Sequence, residues 1–97
     1  MTQLDDIVYL ESNKRKMIMH LADGNTVEFY GKIRDIRQSD LMDSGFINIH
    51  KSYIVNYNYI GKLKFLELTL NNGITLPVSQ RRFKAIKAQY LSFLDAR

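Results

Sequence analysis

Apolar positions along this 97-residue chain fall into short runs separated by turn residues. Ile7-Val8-Tyr9-Leu10 is a short apolar run and reads as a strand. Small polar residues and cations follow, so Ser12-Asn13-Lys14-Arg15 reads as a loop, with the cation run continuing to Lys16. Met17 to Leu21 and Thr26 to Tyr30 flank Ala22-Asp23-Gly24-Asn25. Asp-Gly supplies the positive-φ positions of a tight turn, which predicts a β-hairpin. From Lys32 to Leu41 the period changes: Ile33, Ile36 and Leu41 are separated by charged and polar residues. This predicts a short amphipathic helix, stopped by Asp43-Ser44-Gly45.

Beyond that stop the period returns to two. Phe46-Ile47-Asn48-Ile49-His50 alternates and marks a half-buried strand; Tyr53-Ile54-Val55 follows closely. Ile60 to Leu70 reads as two more strands, Asn71-Asn72-Gly73 as a turn, and Ile74 to Val78 as the last strand. Pro77 is then expected near a strand end or edge, where its missing N–H costs little. From Arg81 onward Phe83, Ile86, Tyr90 and Phe93 recur at helical spacing, and Leu94 extends the stripe. Ser79 is placed to cap that helix. The elements together predict one mainly β domain over residues 1–97.

Charge changes the picture once it is located. The net is +4. Between Ser44 and Leu94 seven Lys and Arg residues face one acid, Glu67, a net of +6; the remainder is net −2. A basic half suits either a polyanion partner or a solvated surface. The chain has no Cys, which removes disulfides, thiolate nucleophiles and Cys-ligated metal sites. No apolar run approaches the ~18 residues of a membrane span. The residues from Met1 to Asp6 lack the basic start and apolar stretch of a secretory signal, so a cytoplasmic location is expected.

Catalytic constellations are hard to find. His20 and His50 lie far apart, there is no H-E-x-x-H, no phosphate loop and no G-x-S-x-G, and the acids are scattered. A non-enzyme with no cofactor and no metal is the expectation. Binding chemistry instead clusters in three places: Lys14-Arg15-Lys16, His50-Lys51-Ser52, and Ser79-Gln80-Arg81-Arg82. Each falls at the end of an expected element, where side chains project without disturbing a core. Arg and Lys contact phosphates or guanine edges, Gln reads adenine, and Ser suits phosphate oxygens. The competing reading is a solvated turn, a hydrogen-bonded strand-end histidine and a helix cap with two arginines in water. Tyr53, Tyr57 and Tyr59 are read as sheet-packing residues rather than a base-stacking platform.

The run from Phe46 through Asn56, FINIHKSYIVN, followed by Ile60, resembles the signature of LytTR DNA-binding domains. That signature reads approximately F-x-x-I-H-[KR]-S-[YF]-[ILV]-V-N. Asp6-Ile7-Val8-Tyr9-Leu10-Glu11 resembles the family's D-I-x-Y-[IL]-E start, Phe29-Tyr30 its hairpin exit, and Leu76 through Lys84 its L-P-V-S-R-R-x-x-K end. The match runs from about Asp5 to Lys87.

The resemblance implies an elongated arrangement of small antiparallel sheets, with one short helix between sheets and a C-terminal helix. It implies double-stranded DNA as partner, bound at promoter direct repeats by loops rather than by a recognition helix, with a homodimer possible on DNA. It also implies a response regulator in which a receiver domain precedes this one. Carried over by position, the family's DNA contacts are Lys14 and Arg15, His50 and Lys51, and Arg81 with Arg82; Lys16, Ser79 and Gln80, from the same three clusters, complete the expected DNA-binding set. Arg15, Lys51 and Arg81 are assigned to base edges. Asn56 is expected to hold a turn through backbone bonds. Gln80 stands where the family often carries Arg, and the strand before D-I-x-Y is absent or reduced to Thr2-Gln3-Leu4. With no receiver domain, the chain is either part of a longer regulator or stands alone. Two alternatives remain: a protein-interaction or dimerisation module using the Phe83, Ile86, Tyr90 and Phe93 face, and a non-specific RNA or single-strand binder.

Overall fold

The alternating runs become eight strands in two antiparallel sheets, in a computed structural model that describes residues 3–97. Strands β1 (Ile7–Asn13), β2 (Lys16–Leu21), β3 (Thr26–Tyr30), β4 (Phe46–His50) and β5 (Tyr53–Asn56) form the larger sheet, in the order β3-β2-β1-β5-β4. Strands β6 (Ile60–Lys64), β7 (Glu67–Leu70) and β8 (Thr75–Pro77) form the smaller one in sequence order. Helix α1 (Ile33–Arg37) joins β3 to β4, and α2 (Phe83–Ala96) ends the chain. The extents are 30 × 26 × 25 Å, so the elongation is slight.

The larger sheet is buried on both faces at its centre. One face meets the smaller sheet and α2 through Val8, Tyr9, Ile47, Ile49, Val55, Leu68, Leu76 and Ile86. The other, through Ile7, Leu10, Met17, Phe46 and Ile54, is covered by Ile33 and Ile36 of α1 and by Leu41 and Met42. So α1 connects two strands of one sheet and lies on the face turned away from the second sheet. A register shift between Ile7 and Tyr9 inserts one extra residue against β2. That bulge lets Val8 and Tyr9 contribute to the same cluster, against simple alternation.

Several expectations need correction. The 12–15 loop is mostly strand: β1 runs through Asn13, Asn13 pairs with Lys16, and only Lys14 and Arg15 form the turn. The 32–41 helix is two pieces, because Ser39 intervenes. Its Oγ donates to the Ile36 carbonyl at 2.6 Å and accepts from Leu41 N–H at 3.3 Å, ending α1 and starting a 3-10 turn over Asp40–Asp43. The C-terminal helix begins at Phe83, not Arg81, with Arg82 at its N-cap position and no side-chain cap. Ser79 is therefore not its cap. Thr2 lies outside the described residues, and Leu4–Asp6 form a 3-10 turn, so among the described residues no strand precedes β1, in line with the expectation that it is absent.

Other expectations hold. Pro77 ends β8, an edge strand. Asn56 is buried, donates to the Ile7 carbonyl at 3.0 Å and accepts from Asn58 N–H at 3.0 Å. Tyr53, Tyr57 and Tyr59 pack against the core, and Tyr57 stacks on Phe93 at 5.2 Å. Phe83, Ile86, Tyr90 and Phe93 all pack on the molecule's own first cluster, so that face is not available to a partner.

Candidate nucleic-acid interface

Antiparallel pairing decides which loops share an end of the sheet. Tyr9 pairs with Val55 and Glu11 with Tyr53, so the β1–β2 turn lies beside the β4–β5 turn. Ser12 N–H donates to the Ser52 carbonyl at 2.8 Å and ties the two together. Beyond β4, Ser79 N–H donates to the Ile49 carbonyl at 2.7 Å. That bond lays the segment before α2 along the end of β4. The three basic clusters, far apart in sequence, thus line one end of one sheet. Four inter-strand steps of ~4.8 Å carry that end across about 19 Å, before the Ser79–Arg82 segment is added.

The first cluster is a two-residue hairpin turn. Lys14 takes the left-handed conformation at φ 60, and the Arg15 carbonyl accepts from Gly31 N–H at 3.0 Å. Lys14, Arg15 and Lys16 are all exposed. Lys16 belongs to β2 rather than to the loop, and its ammonium lies 3.8 Å from the Glu28 carboxylate. Lys14 and Arg15 are at the tip.

The second cluster turns between β4 and β5. Lys51 is exposed and His50 half-buried. His50 Nδ1 accepts from Ser52 N–H at 3.1 Å, which leaves the proton of the neutral ring on Nε2. Burial, then the nearby Lys51 and Arg82 charges, lower the imidazole pKa below its ordinary value. At neutral pH His50 is therefore an uncharged donor between two cations. The hydrogen-bonded strand-end histidine and the binding residue are compatible readings, because its two nitrogens do different things.

The third cluster splits. Gln80 and Arg81 are exposed, while Ser79 and Arg82 are half-buried. Arg82 is not in water: its Nη1 donates to the Asn48 carbonyl at 3.2 Å and to Asn48 Oδ1 at 3.1 Å. Asn48 Nδ2 in turn donates to the carbonyls of His50 at 2.7 Å and Tyr53 at 2.9 Å. Asn48 therefore couples the second cluster to the third. Sequence alternation placed it on a polar face, and its role escaped notice there. The available signal was an amide side chain two residues before a turn, able to mimic backbone pairing. Tyr30, outside the three clusters, is 82% exposed at the end of β3, on this same end of the sheet.

A β-sheet end that presents three basic loops, with no recognition helix among them, defines a loop-presenting binding domain for an extended anionic partner. The chain belongs to the LytTr DNA-binding domain family, whose model matches residues 1–90. It is 32% identical over 88 residues to accessory gene regulator protein A of Staphylococcus epidermidis, covering 87% of this chain and 35% of that protein. It is 37% identical over 60 residues to accessory gene regulator protein A of Staphylococcus aureus, covering 60% of this chain and 24% of that one. The chain thus spans about a third or less of the length of these relatives. Its fold is similar to that of a LytTr DNA-binding domain of a methyl-accepting/DNA response regulator from Bacillus cereus. There the TM-score is 0.73 with 23% identity, covering 93% of this chain and 84% of that one.

Proposed function

We propose that this chain binds double-stranded DNA sequence-specifically, as the effector domain of a bacterial transcriptional response regulator. The observation that carries this is the convergence of Lys14-Arg15, His50-Lys51 and Gln80-Arg81 on one sheet end through two backbone hydrogen bonds. Family membership and the regulator relatives support it. Arg15, Lys51 and Arg81 sit at exposed tips and take the base edges. Lys14, Lys16, His50 and Ser79 take phosphates or bridging water, and Gln80 suits an adenine. Arg82 acts as a positioning residue through Asn48. Each domain occupies one promoter direct repeat, so pairing of copies takes place on DNA. In a regulator of the relatives' length, a receiver domain joined to this one supplies the signal. The protein works in the cytoplasm, and no catalytic step is required of it.

The test is selection of random duplex DNA on the wild-type chain beside Arg81→Ala and Lys51→Ala. A short enriched motif that weakens or blurs at one position in each variant is expected, with a loss of about 1–3 kcal/mol per base-reading residue. No enrichment, or enrichment indifferent to both substitutions, overturns the proposal. Preference for unpaired strands would favour a single-strand binder instead.

A further inference from the structure

We infer that Tyr30 is a further DNA-contacting residue, donating its phenol O–H to a backbone phosphate beside the base step met by Arg15. This rests on the DNA-binding reading above. Phe29 packs into the core on the α1 side of the sheet, so alternation along β3 turns Tyr30 to the opposite face. The ring is left 82% exposed there, on the outermost strand.

Its surroundings are donors on the hairpin side, with one carboxylate, Glu28, two residues back on the same face of β3. Tyr30 pairs across the strands with Lys16, whose ammonium lies 5.8 Å from the ring centroid and 3.8 Å from the Glu28 carboxylate. Gly31 N–H donates to the Arg15 carbonyl at 3.0 Å, which ties the end of β3 to the hairpin tip. Asn13, Lys14, Arg15, Lys16 and Tyr30 line an open recess of about 430 Å³. Its side chains offer two ammonium groups, a guanidinium, an amide and a phenol, with no carboxylate in the lining. That complement matches a phosphodiester, which has only acceptor oxygens. The ring and the Glu28 carboxylate flank Lys16 at the wall, and the Tyr30 phenol and the Asn13 amide are the neutral donors of the site.

The test measures binding to the enriched duplex and to an unrelated duplex at two salt concentrations, for wild type, Tyr30→Phe, Tyr30→Ala and Arg81→Ala. Tyr30→Phe keeps the ring and removes only the hydroxyl, so its thermal unfolding should match wild type. It should bind both duplexes roughly five- to tenfold more weakly, the usual worth of one hydrogen bond. Its salt slope should be unchanged, since a neutral donor displaces no counterion. Tyr30→Ala should lose more, because Lys16 also loses its support.

Tyr30→Phe binding like wild type on both duplexes overturns the inference. So does a loss confined to the enriched duplex, which would mean base reading rather than a phosphate contact. If wild type binds and Arg81→Ala fails while Tyr30→Phe is unaffected, only the Tyr30 inference falls. If wild type itself shows no duplex binding, both readings fall.

Discussion

The two nitrogens of His50 differ: Nδ1 braces the turn by accepting from Ser52 N–H, and Nε2 carries the proton of the neutral ring. Its native pKa lies below the ordinary value near 6.5 because the ring is partly buried among cations. The unfolded chain therefore binds more protons in the window below that value. The stabilisation from neutral His50 is present above pH 6.5 and is lost as pH falls through the lower native pKa. His50→Asn, whose Oδ1 can accept the same N–H, should show a shallower fall in melting temperature between pH 7 and pH 5. Equal falls would sink the assignment. Asn56 tests the core in the same way. Asn56→Ala leaves the Ile7 carbonyl without its partner, and chemical denaturation should show a loss of about 2–3 kcal/mol. Gly45 has φ 95, and a Cβ there would lie 2.7 Å from the Tyr57 ring, so Gly45→Ala should cost about 2–4 kcal/mol.

Among the elements, β4 and the segment before α2 decide how the second and third clusters sit together. Arg82 and Arg81 are sequence neighbours in different surroundings. Arg82 hydrogen-bonds Asn48, whereas Arg81 is exposed. Arg82→Ala should lower stability by about 1–2 kcal/mol and weaken DNA binding together. Arg81→Ala should weaken binding while the unfolding curve stays where it was. Paired melting and binding measurements separate the two, and identical behaviour would remove the distinction. Helix α2 closes the first cluster with Ile86 and stacks Phe93 on Tyr57. Ile86→Ala should cost about 3 kcal/mol by opening a cavity in that cluster.

For the whole molecule, charge placement matters more than net charge. If the sheet end neutralises roughly four to six phosphates, the slope of log K against log salt is about −4 to −5, at ~0.9 per contact. A flat response in a binding titration over several salt concentrations would leave the basic clusters as ordinary surface. Their order along the end follows the strand order, from β3 at one edge to β4 at the other. That linear display suits an extended duplex better than a compact ligand.

Strand runs, hairpin turns and the α2 stripe were legible in the chain because side-chain period and Gly-containing turns are local properties. The motif around His50 and Lys51, with its resemblance, was legible for the same reason: its residues are contiguous. Boundaries were less so. Ser39 diverts a helix, and β1 extends through Asn13 because β2 is there to pair with it. A mainly β chain, an apolar set for its core and three basic segments all follow from the order of residues along the chain. That these segments meet, that Arg82 bonds Asn48 through Nη1, and that Tyr30 stands exposed beside Arg15 came from chain pairing in three dimensions. Register, bulges and the pairing of β1 with β5 join residues more than forty positions apart, through backbone bonds that side-chain identity alone does not specify.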